Sequence, residues 1–121
     1  MLEAALVCLA QVGYMEARGE PLIGQQAVMM VLYRRAEFKP ENICKELRRP
    51  YQFSWYGKIK PPERSAAELR PFLNIAHQVL NFKVKDTSKG AYYFHEVNLK
   101  PKPIWAKSRP AKVVIQNHIF Y

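Results

Sequence analysis

Residues 14–21 read Tyr14-Met15-Glu16-Ala17-Arg18-Gly19-Glu20-Pro21, and this segment ends a helix on a carboxylate. Steps of three and four residues back from Glu16 reach only apolar or small residues, which share one helix face. They are Leu2, Ala5, Leu6, Leu9, Val12 and Gly13. Because Glu16 continues this face, its side chain should point into a partly dry place. Gly19 favours a helix end, and Pro21 disfavours helix at the residue before it.

Glu16 therefore has the position that a general acid needs. The last turn of a helix lies at the negative end of the helix dipole, and burial also disfavours a charged carboxyl, so both effects should raise the pKa of Glu16. A carboxyl with a raised pKa donates a proton readily near neutral pH. The alternative is a structural ion pair with a neighbour such as Arg18, because such pairs imitate active sites.

The composition indicates one globular domain over residues 1–121 with an anionic partner. Hydrophobic residues make up 49% of the chain, which is enough for a core. No apolar run approaches the roughly 20 residues of a membrane span. The 19 Lys and Arg residues outnumber the 10 Asp and Glu residues. Such an excess favours nucleic acid, an acidic membrane or an anionic wall polymer as the partner.

The cysteines and histidines predict neither a disulfide framework nor a metal site. Cys8 and Cys44 have apolar neighbours, and we interpret both as buried small hydrophobic side chains. This use of cysteine fits a reducing cytosol. The three histidines show no spacing typical of metal ligands, so no metal and no cofactor is expected. The first residues lack the basic start of a signal peptide.

The hydrophobic periodicity predicts helices first and short strands later. Helices are expected at 2–18, 21–36, 40–47 and 63–82, the last kinked or split at Pro71. Residues 51–56 read as a short strand or an extended loop, and strand-like patterns occupy 91–95, 112–115 and 118–121. The predicted fold class is α+β, helix-dominated, with a small antiparallel β element.

Several motifs occur in an order that resembles a known family. They are the segment 14–21, Gly24-Gln25-Gln26-Ala27-Val28, Tyr33-Arg34-Arg35, Ile43-Cys44, Gln52-Phe53-Ser54, Lys89-Gly90-Ala91-Tyr92-Tyr93-Phe94 and His118-Ile119-Phe120-Tyr121. Over almost its whole length the chain resembles the cell-wall hydrolase family typified by the SleB spore cortex-lytic enzymes.

The resemblance implies a lysozyme-like domain that acts on peptidoglycan as a lytic transglycosylase. Enzymes of that family cleave between N-acetylmuramic acid and N-acetylglucosamine and leave a 1,6-anhydro muramic end. The family's catalytic glutamate corresponds to Glu16, in agreement with the helix argument. One carboxyl suffices for this chemistry, because the C6 hydroxyl of the substrate attacks in place of water. Glu20 is then expected to be structural support.

Further residues are candidates for binding the glycan. Gln52 and Ser54 offer hydrogen bonds, Trp55 offers a stacking surface, and the terminal motif offers His118. Tyr92 and Tyr93 alternate in a predicted strand, so one of them should face the groove. We expect Gln52, Ser54 and one of these tyrosines within side-chain reach of Glu16.

The chain also departs from the family pattern. Met15 stands where the family has Gly, and Trp55-Tyr56-Gly57-Lys58 replaces a polar Asn-Asp continuation. A short, basic, leaderless domain resembles a bacteriophage endolysin or virion lysin. Such a protein would be a monomer made in the host cytoplasm that reaches the wall through a holin or a virion. The alternative function is a basic, non-catalytic module that binds nucleic acid or the cell wall.

Overall fold

A computed structural model describes residues 2–49 and 66–121 of the protein. Helices lead the described chain: α1 (Leu2–Ala17), α2 (Leu22–Arg35), α3 (Pro40–Leu47) and α4 (Ala66–Leu80). Strand β1 (Phe94–Glu96), the short helix α5 (Ile104–Lys107) and strands β2 (Val113–Ile115) and β3 (His118–Phe120) follow. The predicted α+β, helix-dominated class is confirmed.

Helix α2 is the centre of the core. Its middle turns, residues 27–32, are at most 4% exposed and pack against α1 and α4. The close approach of α1 to α2 depends on Gly13, because a Cβ atom there would lie 2.3 Å from the Met29 Cε atom. The uniformly apolar sequence at the middle of α2 has therefore produced the buried helix that it predicts.

The strands form an antiparallel sheet in the order β1-β3-β2. His118 of β3 is in register with both Glu96 of β1 and Ile115 of β2. The turn between β2 and β3 consists of Gln116, which has a φ of 51°, and Asn117. The sheet thus carries the ends of β1 and of the β2–β3 hairpin to the same place.

One predicted strand needs correction, and one of the two alternatives at Pro71 is excluded. The strand expected at 91–95 begins only at Phe94, because the backbone amides of Tyr92 and Tyr93 both donate to the Tyr121 carbonyl instead of forming a regular ladder. The alternation argued for the two tyrosines therefore does not apply. Helix α4 contains Pro71 and is not split there. Pro71 has no backbone N–H, so it cannot donate to the carbonyl of Ala67 four residues earlier. Ala67 is an exposed residue in the first described turn of α4, where water can replace the missing donor.

The prediction of two unpaired cysteines is wrong. Cys8 of α1 and Cys44 of α3 form a disulfide, with their Cα atoms 5.5 Å apart, and both are only half-buried. The packing of α1 against α3 brings together residues 36 positions apart, a proximity that spacing alone does not reveal. Because disulfides are rare in reducing compartments, the cysteines no longer support a reducing cytosol.

None of the described helices has the length and apolar character needed to cross a membrane.

Candidate active site

A pocket of about 300 Å³ opens where the end of α1 meets the end of β1 and the β2–β3 turn. We call it the glutamate pocket, because it contains three carboxylates: Glu16, Glu20 and Glu96. The other residues that line it are Met15, Arg18, Gly19, Val97, Asn98, Asn117 and His118. Sequence reasoning singled out Glu16, Glu20 and His118, and the structure brings these three together.

Glu16 lies in the last turn of α1, half-buried at the wall of the pocket. The following residue, Ala17, is 1% exposed and anchors this turn in the core. The Gln25 side-chain amide of α2 donates to the Ala17 carbonyl at 3.2 Å, and the Glu20 backbone amide donates to the same carbonyl at 2.9 Å. These bonds satisfy the end of the helix and hold the backbone beneath Glu16.

Glu20 joins the α1–α2 corner to the β2–β3 turn. Its carboxylate, 5% exposed, accepts hydrogen bonds from the Asn117 backbone amide at 3.0 Å and from Asn117 Nδ2 at 2.9 Å. A carboxylate engaged twice by one turn residue fixes the position of that turn. The predicted role of Glu20 as structural support remains a prediction, and these contacts support it.

His118 forms the buried floor of the glutamate pocket. Burial lowers the pKa of its ring, an effect that the nearby Glu20 and Glu96 carboxylates oppose. The Nδ1 atom lies 3.3 Å from Glu20 Oε1, yet it makes no well-formed hydrogen bond within the described part of the chain. The ring also meets Phe94 edge to face, with centroids 5.2 Å apart. His118 therefore has the surroundings of a neutral, packed imidazole.

Sequence reasoning missed Glu96, Asn98 and Asn117 as pocket residues. Glu96 ends β1 and is exposed, and its partner in β3 is His118. Glu96 directly follows the strand-like segment 91–95. This position could have indicated a functional residue, because functional side chains often lie in the loops that follow strands. Arg18, offered as a possible ion-pair partner, has its guanidinium 5.0 Å from the ring centroid of Tyr14 and donates to the Tyr14 hydroxyl.

The remaining candidates are not placed in this pocket by the described part of the chain. Gln52, Ser54 and Trp55 fall outside the described residues, so their expected place beside Glu16 stays a prediction. Tyr92 and Tyr93 line a different pocket, at the opposite end of β1 from Glu96. Neither tyrosine lines the glutamate pocket, and the expectation that one of them lies within side-chain reach of Glu16 stays a prediction.

Within residues 2–49 and 66–121, no three or more His, Cys, Asp or Glu side chains are grouped so that they could hold a metal ion. The glutamate pocket has carboxyl, amide and guanidinium groups around an open space. Carboxyl groups can transfer protons, and amides can hold hydroxyl and acetamido groups. The arrangement thus suits acid–base chemistry on a polar substrate.

Comparison with known proteins places the chain among wall-degrading enzymes. The family model described as cell wall hydrolase matches residues 19–121. The fold is similar to the catalytic domain of the Bacillus cereus SleB protein, with a TM-score of 0.78 and 22% identity over 98% of this chain and 89% of that one. It is also similar to the catalytic domain of the germination-specific lytic transglycosylase SleB from Bacillus anthracis, with a TM-score of 0.73 and 23% identity over 96% of this chain and 92% of that one. No curated protein sequence matches significantly.

Proposed function

The chain belongs to the cell wall hydrolase family, and we propose that it cleaves the bond between N-acetylmuramic acid and N-acetylglucosamine as a lytic transglycosylase. Glu16 is the general acid and base in this proposal. The observation that carries it is the position of Glu16, at the end of α1 on the wall of an open polar pocket. The likeness to a domain described as a lytic transglycosylase supports the reaction type.

The reaction needs one carboxyl that works twice. The Glu16 carboxyl first donates its proton to the glycosidic oxygen, and the bond between that oxygen and C1 of the muramic residue breaks. The C6 hydroxyl oxygen of the same residue then bonds to C1, and the Glu16 carboxylate accepts the hydroxyl proton. The product carries a 1,6-anhydro ring, no water is consumed, and Glu16 ends protonated as it began.

The rest of the glutamate pocket supports this assignment. Both Glu20 oxygens accept hydrogen bonds from Asn117, which suits a structural role better than that of a second catalytic carboxylate. Glu96 places a further carboxylate in the pocket, in addition to Glu16 and Glu20. Asn98 is available for the sugar acetamido or hydroxyl groups.

Peptidoglycan glycan strands are the proposed substrate and partner. Four further properties remain predictions: that residues 1–121 form one domain, that the protein is a monomer, that it is a phage lysin, and that a holin delivers it to the wall. The same holds for glycan contacts by Gln52, Ser54, Trp55, Tyr92, Tyr93 and His118. Nothing observed in the described residues favours nucleic acid over the wall.

The test is Glu16→Gln, which removes the proton donor and keeps the shape. Its clearing of purified peptidoglycan should fall by about 10²–10⁴-fold, the usual contribution of a general acid. Glu3→Gln, an equal change at an exposed position of the same helix, should clear walls as the wild type does. Mass spectrometry of the wild-type products should find anhydro ends, each one water lighter than a hydrated end. Near-normal clearing by Glu16→Gln, or hydrated ends alone, would overturn the proposal.

A further inference from the structure

A second pocket, of about 500 Å³, lies at the other end of β1. We call it the arginine pocket and define it by Arg34, Arg35, Arg49, Phe38, Tyr92 and Tyr93. It is formed by the end of α2, the turn that follows, the residues just after α3 and the approach to β1. The proposed glycan cleavage leaves this pocket without a function.

The guanidinium groups of this region lie on aromatic rings. The Tyr93 ring has the Arg35 guanidinium 4.7 Å and the Arg109 guanidinium 4.2 Å from its centroid. The Arg34 guanidinium lies 5.4 Å from the Phe38 centroid and 5.8 Å from the Tyr92 centroid. A guanidinium stacked on a ring keeps its N–H donors free to act within its own plane. The rings thus hold the cations in fixed orientations.

The base of the arginine pocket is rigid. Arg35 Nε donates to Glu46 Oε1 at 3.0 Å, and Arg35 Nη1 donates to the Tyr92 carbonyl at 3.2 Å. The Arg35 and Glu46 side chains are 16% and 9% exposed. Because burial of both partners strengthens the pair and limits motion, the ion pair forms a preorganised base for a ligand.

The rim of the pocket is open and carries an exposed cation, Arg49. Arg49 is 61% exposed and donates from Nη1 to both Glu46 carboxylate oxygens, at 3.3 and 3.4 Å. Because Arg35 also pairs with Glu46, Arg49 can turn toward a ligand without leaving Glu46 unpaired. Phe38 and Tyr92 present 39% and 52% of their surface to solvent. Three arginines and two glutamates, Glu37 and Glu46, line the cavity. The rim thus offers the exposed Arg49 cation beside two exposed rings, and the exposed Glu37 carboxylate there faces Lys39 Nζ at 3.9 Å.

We propose that the arginine pocket binds a carboxylate of the short peptides attached to the glycan strand. This inference rests on the proposed function, since it assigns the peptide part of the same substrate. Arg49 would take the carboxylate, and the rings of Phe38 and Tyr92 would cover the apolar side of the peptide. A ligand with an anion and apolar groups side by side matches this rim better than a bare phosphate does.

The distance between the pockets fits a single substrate. Tyr93 lines one pocket and Glu96 the other, and three extended residues span roughly 10 Å. A peptide of a few residues has this reach. A glycan strand lying in the glutamate pocket can therefore place its attached peptide in the arginine pocket.

Binding can be measured in the absence of cleavage, so this inference can be tested separately from the proposed function. The background is Glu16→Gln, and the ligands are intact soluble peptidoglycan fragments and the same glycan stripped of peptides by an amidase. Arg49→Gln should lower the ratio of affinities, intact over stripped, by about tenfold, the loss expected for a charge-assisted hydrogen bond. Tyr92→Ala should lower the same ratio by about tenfold, because the ring that covers the apolar side of the peptide is lost. Arg48→Gln, an equal change at an exposed neighbour outside this pocket, is the matched control and should leave the ratio unchanged.

Each other outcome overturns the inference. An unchanged ratio for both variants would mean that the pocket does not bind the peptide. Equal losses on intact and stripped glycan would mean that the arginine pocket binds the sugar backbone. Displacement of the fragments by a soluble phosphodiester wall polymer, lost in Arg49→Gln, would assign the site to phosphate. The circular dichroism spectrum and thermal unfolding of each variant confirm that it is folded.

Discussion

Removal of the Cys8–Cys44 disulfide should cost a large part of the stability of this domain. The bridge joins residues 36 positions apart. In the chain-entropy account, a closed loop of that length corresponds to about 4 kcal/mol at 25 °C. Small domains are typically stable by about 5–15 kcal/mol. The bridge therefore contributes a quarter or more of the whole, through its effect on the unfolded chain.

Urea unfolding of oxidised and reduced protein measures this contribution. With an m-value of about 2 kcal/mol/M, a loss of 4 kcal/mol moves the midpoint down by about 2 M. The Cys8→Ala/Cys44→Ala variant should match the reduced wild type to within about 1 kcal/mol, because each half-buried sulfur is a small loss. Its midpoint should not respond to dithiothreitol, since the chain has two cysteines in all.

Either of two results would contradict the predicted contribution of the disulfide. One is a midpoint for the oxidised wild type that does not move on reduction. The other is alkylation of both thiols in folded, unreduced protein, which would show that no bridge exists. A midpoint shift with a changed m-value would instead show that the bridge changes the compactness of the unfolded chain, and the 4 kcal/mol figure would need revision.

Two further predictions concern carboxylates that take no part in the proposed reaction. Glu20→Gln should destabilise the fold by about 1–3 kcal/mol, because the buried carboxylate bonded to Asn117 is lost, and it should reduce clearing less than it reduces stability. At Asp86, burial alone would raise the pKa, but hydrogen bonds from Ser88 and Arg34 hold it below its ordinary value of 3.8. The folded state thus binds its proton less readily than the unfolded state, so this stability is present above about pH 5 and is lost as the pH falls through the folded pKa.

Each of these has its own control. Thermal unfolding of Glu20→Gln is compared with that of Glu41→Gln, an equal change at an exposed position on α3, which should unfold with the wild type. Equal melting of both variants would contradict the structural role. For Asp86, the unfolding free energy of Asp86→Asn should vary less between pH 5 and pH 2 than that of the wild type. Parallel curves would show that Asp86 does not couple folding to pH.

The sequence predicts the parts of the fold that depend on local pattern. Helices α1, α2 and α3 follow from periodicity and from their Gly and Pro boundaries, and the structure places them within one or two residues of expectation. The apolar run of α2 correctly predicts its burial. The small antiparallel sheet is also confirmed. Each of these signals repeats over several neighbouring residues.

The failures concern contacts between distant residues. The disulfide depends on how α1 packs against α3, which no spacing in the sequence encodes. The strand predicted to include Tyr92 and Tyr93 begins only after them, because their amides share the carbonyl of Tyr121, a residue about 30 positions later. Glu96 could not be predicted as a pocket residue for a similar reason. It lines the pocket only because its pairing with β3 brings the β2–β3 turn beside it.

The position of Glu16 depends on residues that follow it in the chain. The family match begins at residue 19, just after Glu16, and runs to residue 121. Within that range lie Gln25, which bonds the end of α1, and Asn117, which holds the adjacent corner through Glu20. The matched range also includes the opposite wall of the glutamate pocket, which consists of residues 96–98 and 117–118. The matched region is therefore the scaffold that orients the proposed acid. A change at Gln25 or Asn117 should accordingly act on Glu16 through the backbone of α1, whereas a change at Glu96 should act through charge in the pocket.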